Sequence, residues 1–81
     1  MQLSVHVAAM VCSLATGTCT EHARFGPYYV QSQGPVSPAL CRIIGLTGIA
    51  KSPAEIKWFQ EVDRTTSSVD WKCDAVLVAD L

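Results

Sequence analysis

The chain has 81 residues, 49% of them hydrophobic and 16% charged, with a net charge of −1. That length holds one domain near the lower limit for a self-sufficient apolar core, and the composition excludes a disordered chain. Arg24, Arg42, Lys51, Lys57, Arg64 and Lys72 are scattered along the sequence. A phosphate-binding surface needs clustered cations, so nucleic acid is not an expected partner.

Leu3, Val5, Val7, Ala9 and Val11 alternate with Ser4, His6, Ala8 and Met10, which predicts a first strand over residues 2–13. Residues 5–14 also have the length of a signal-peptide core, and Ala15-Thr16-Gly17 fits the small-residue cleavage rule. No Lys or Arg precedes that run, and the strand is the preferred reading. It is too short to cross a bilayer, so no membrane span is expected.

Residues 15–18 supply turn chemistry, with Gly17 free to take positive φ. Cys19, Ala23 and Phe25 then outline the second strand of a hairpin, which Pro27 should interrupt because it lacks an N–H. Residues 28–35 read as a short edge strand followed by a Gly34-Pro35 turn. Ser37 and Pro38 have the chemistry of an N-cap and a first helical position. Leu40, Ile43 and Ile44 give an apolar face, and Gly45 stands at a C′ site, so a helix over 38–44 is predicted. Ser52-Pro53-Ala54-Glu55 forms a capping-box pattern and predicts a second helix over 53–63. Beyond a polar break, Val69, Trp71, Cys73, Ala75, Leu77, Ala79 and Leu81 share one side of a strand over 69–81. Its centre at 75–78 is apolar on both sides, which predicts burial on both faces. The order implies a single small α+β domain over 1–81. Its antiparallel sheet joins the N-terminal hairpin to the C-terminal strand, with two short helices on one face.

Cys12, Cys19, Cys41 and Cys73 allow three pairings. A hairpin turning at Thr16 sets Cys12 opposite Cys19 and leaves Cys41 and Cys73 for the long-range link. Two disulfides in so small a chain favour secretion or another oxidising compartment over the cytoplasm. The alternative is a zinc site of Cys12, Cys19, His22 and Cys41, built on the step from Cys19 to His22. A Cys–His catalytic pair lacks an oxyanion motif and an orienting third residue, so no catalytic residue is assigned and no enzyme is expected. No cofactor motif is visible. Asp63, Asp70, Asp74, Asp80 and Glu61 are not spaced as a calcium loop.

Residues 45–59, "GLTGIAKSPAEIKWF", resemble a helix-turn-helix, which would imply DNA contacts from a second helix carrying little beyond Lys57. Cys41, Trp58 and Cys73 resemble the Cys…Trp…Cys order of immunoglobulin-like domains, which would put residues 56–60 in a strand. Fourteen residues separate Trp58 from Cys73, short for the strands that fold requires. The favoured function is a non-enzymatic module that binds another protein or its own copy, with Trp58, Tyr28 and Tyr29 as interface candidates.

Overall fold

A computed structural model describes residues 2–31 and 36–78. The elements in chain order are β1 (Gln2–Ser13), β2 (Cys19–Gln31), α1 (Pro38–Ala50), α2 (Pro53–Glu61) and β3 (Ser67–Val78). The strands form one antiparallel sheet in the order β2-β1-β3, and the molecule is the α+β domain expected. The first strand therefore pairs with the last, from Ser13 opposite Ser67 to Gln2 opposite Val78.

The alternation in β1 decides which face is covered. Val5, Val7 and Ala9 are fully buried and Leu3 nearly so. Cys41 of α1 joins that cluster, with Val30, Val36, Ile44, Trp71 and Cys73 packed around it. On the other face Ser4 and His6 are half-buried. Ala8 is buried there, between Arg24 and Lys72 in the register, whose long aliphatic stems suit the shielding of a small neighbour.

β2 continues through Pro27, contrary to the expected interruption. Its register with β1 shifts between Val5 and Val7, opposite Gly26 and Pro27, and again between Ala9 and Met10, opposite His22. β2 has a neighbour on one side only, so a bulge there accommodates a residue without an N–H. The second bulge brings His22 to the helix side, where it meets α2. The Gly34-Pro35 turn lies outside the described residues.

α1 is six residues longer than the spacing predicts and runs straight through Gly45. The reason is packing. A Cβ at Gly45 would overlap the Trp71 ring, and one at Gly48 would lie 2.8 Å from Phe25 Cγ. The two glycines, one turn apart, let the helix settle onto aromatic side chains of β2 and β3. Ser37 caps α1 as expected, its Oγ accepting from Leu40 N at 3.1 Å. α2 ends at Glu61, and the Ser52 side chain makes no capping bond, although Glu55 stands in the first turn. Residues 56–60 are helical, which overturns the immunoglobulin-like strand.

β3 is an edge strand. Its 75–78 segment is not buried on both faces as expected: Ala75, Val76 and Leu77 are exposed. The apolar run there reflects an uncovered sheet end and not a second packed layer. Residues 79–81 of the expected strand lie outside the described residues.

Candidate functional site

All four cysteines are paired, Cys12 with Cys19 and Cys41 with Cys73. Ser13 N–H donates to Thr18 O at 2.8 Å, so the next pair along, Cys12 and Cys19, is a non-hydrogen-bonded pair. Such pairs hold their Cα atoms close, here 4.0 Å apart. The second bond ties α1 to β3 across the core, with a sequence separation of 32. Asp70 Oδ2 lies 3.3 Å from Cys12 Sγ. A disulfide sulfur carries no proton, so this is a contact and not a hydrogen bond.

The set proposed for zinc is dispersed. Cys12 and Cys19 meet, and together with Asp70 their ligand atoms lie within 4.8 Å of one another. Metal binding needs thiolates, which the disulfide withholds. Cys41 is bonded to Cys73, and His22 is engaged elsewhere.

His22 fastens α2 to β2. Its ring lies flat on Trp58, with centroids 3.6 Å apart and planes 2° from parallel, while Nε2 is 2.7 Å from Glu55 Oε2. Trp58, Phe59 and Trp71 continue as an aromatic row, with 6.4 Å between successive centroids. Trp58 is offered by the sequence as an interface candidate. It is half-buried under His22, and only the bulge in β2 makes that contact possible. Tyr28 is half-buried too, with Lys51 Nζ 5.3 Å above its ring. Tyr29 is exposed.

Tyr29 and Val76 are each 64% exposed and stand on either side of Ser4 in the register, on the sheet face that α1 and α2 leave bare. Leu77, opposite Leu3 in the register and so on the other face of the same sheet end, is 59% exposed. These three form an apolar end to the sheet, remote from the hairpin turn.

A second feature lies at the opposite end of β3. A cavity of about 560 Å³ is bordered by Leu46, Phe59, Val69 and Trp71 and carries both Arg42 and Arg64. Leu14, Ser67, Ser68 and Asp70 complete its rim. Arg64 stacks over the Phe59 ring at 4.5 Å and donates from Nη2 to Phe59 O at 3.0 Å. Among the described residues, neither arginine pairs with a carboxylate. The turn leading into β3 is held by Asp63, whose Oδ1 accepts from Thr65 Oγ1 at 2.6 Å and from Thr65 N at 2.9 Å. The Thr65 hydroxyl and backbone N–H hold the Asp63 carboxyl below its usual range. The sequence carried no sign of this cavity, because Arg42, Arg64 and Trp71 lie far apart in the chain.

Lys57, the one cation that a helix-turn-helix would present on α2, lies 4.0 Å from Glu61. No described helix is long and apolar enough to cross a membrane. No family model matches the chain, and neither a curated protein nor a solved structure matches it.

Proposed function

We propose that this domain is a non-enzymatic protein-interaction module, held by two disulfides and working in an oxidising compartment. The observation that carries the reading is the exposed apolar pair of Tyr29 and Val76, which flank Ser4 on the sheet face that the helices leave bare. Clustered apolar side chains on one uncovered face mark contact surfaces far more often than isolated exposed residues do. Tyrosine at such a place is a suitable anchor, because it supplies area and a polar handle at small entropic cost. The disulfides support the compartment, since thiols in a reducing cytosol stay unpaired.

The test is site-specific photocrosslinking in the producing cells, with a photoreactive phenylalanine at position 76 and, as control, at position 57 on α2. The expected outcome is one discrete adduct from position 76, with another protein or with a second copy, and none from position 57. A monomeric protein with no adduct at position 76 overturns the proposal.

A further inference from the structure

We infer that the free edge of β3 takes up an extended segment of a partner protein as a fourth strand, with an acidic side chain of that segment seated between Arg42 and Arg64. The inference rests on the interaction-module reading and gives that module a defined site and partner chemistry.

The ladder fixes which backbone groups are available. Leu14 N–H donates to Thr66 O at 3.0 Å, so Thr66 faces β1. In an antiparallel ladder alternate residues face the neighbour, and the β1–β3 register is unbroken. Ser68, Asp70, Lys72, Asp74 and Val76 therefore direct their N–H and C=O toward β1. Val69, Trp71, Cys73, Ala75 and Leu77 direct theirs outward, along an edge with no described neighbour. Such a row is a template for strand addition, in which main-chain bonds supply affinity and alternate side chains supply specificity.

The sheet has two edges, and they are not equivalent. β2 carries two register shifts and Pro27, the devices that blunt an edge against pairing. β3 pairs over its full length without a shift. Among the described residues it is the edge left open.

The cavity determines what the added strand should carry. Val69 and Trp71 lie on the helix side of β3, and both border the cavity that also holds Arg42 and Arg64. A strand laid along this edge sends every second side chain to that side. Next to Val69 and Trp71, such a side chain enters a space with apolar walls and two guanidinium groups. Asp70 on the rim offsets one of those charges, which leaves the cavity net cationic. A glutamate fits this environment: its methylenes lie against Leu46 and Trp71, and its carboxylate takes charge-assisted hydrogen bonds from arginine.

The test is a titration of the ¹⁵N-labelled, disulfide-bonded protein with acetyl-Thr-Val-Glu-Val-Thr-Val-amide, followed by amide chemical shifts. Two comparison peptides carry Gln for Glu, or N-methyl groups on the backbone edge that would face β3. The expected result is shifts concentrated at Val69, Trp71, Cys73 and Ala75, about tenfold weaker binding by the Gln peptide, and no binding by the N-methylated one. Arg42→Gln, with the rest of its spectrum unchanged, should bring the Glu peptide down to the level of the Gln peptide. Equal binding of the Glu and Gln peptides, concentration-dependent shifts of the same amides without peptide, or absence of shifts overturns the inference. Crosslinks from position 76 that persist in any of those cases leave the interaction module standing with its contact on the bare sheet face.

Discussion

His22 and Trp58 lie face to face with centroids 3.6 Å apart, and that stack, closed by Glu55 at 2.7 Å, joins the bulged strand β2 to α2. The helix has no fully buried residue of its own, so its position depends on a few such contacts. Replacing either His22 or Trp58 with Ala should lower stability by about 1–2 kcal/mol, with a coupling of about 0.5–1.5 kcal/mol between the two. A double-mutant cycle in urea measures it. Additive losses would show that the stack holds nothing beyond its separate burial.

Gly45→Ala and Gly48→Ala should both destabilise the domain, although alanine is the better helix former by about 1 kcal/mol. The added methyl at 45 meets the Trp71 ring, and that at 48 meets Phe25 at 2.8 Å. Overpacking of this kind costs about 1–3 kcal/mol and outweighs the propensity gain. Thermal unfolding of each variant checks the sign.

The two serines that precede the helices should respond differently. Ser37→Ala removes a bond to Leu40 N and should cost about 1 kcal/mol. Ser52 makes no side-chain cap bond, so Ser52→Ala should change stability by less than about 0.5 kcal/mol. Chemical denaturation of the pair decides whether the capping-box pattern at Ser52 has energetic content.

Intact mass should rise by about 4 Da on reduction, two hydrogens for each bond broken. Replacing Cys41 and Cys73 with Ala should cost more than replacing Cys12 and Cys19, because the first bond closes a separation of 32 and the second one of 7. Chain entropy sets those contributions at about 3.7 and 2.5 kcal/mol. Equal losses would point to packing, and not loop closure, as the larger effect.

Asp63 should titrate below the ordinary carboxylate range, and Thr65→Val should bring its midpoint upward by removing the hydroxyl donor. The folded value is depressed, so the turn gains stability above the unfolded-state value and loses it as pH falls through the folded one. That window lies at the acid end, at and below the usual range for Asp. Carboxyl carbon shifts followed by NMR report it directly.

Much of the fold was legible because its signals are local. The alternation in β1, the turn at residues 15–18 and the Ser37-Pro38 start each depend on neighbours in sequence. What escaped was set by distant partners. Gly45 looks like a helix end until Trp71 is placed against it, and Pro27 looks like a strand break until β2 is known to be an edge. The hairpin itself positioned Cys12 and Cys19, and elimination then linked Cys41 to Cys73. Of the candidate site, Tyr29 could be named from the sequence only as one of several aromatic residues, together with Tyr28 and Trp58. The Arg42 and Arg64 cavity could not be named, since its walls come from the hairpin turn, both helices and β3.

The pairing of β1 with β3 also dictates an order of events during synthesis. Ser13 cannot meet Ser67, nor Gln2 meet Val78, until residues 67–78 have left the ribosome, more than fifty residues after β1. The hairpin can close early, but the most apolar strand then waits with one side unpaired through the making of both helices. Contacts so remote in sequence raise the contact order and slow folding. During that interval the β1 edge is a target for the wrong strand, its own copy included, and a chaperone's hold on β1 would matter most just before residue 67 emerges.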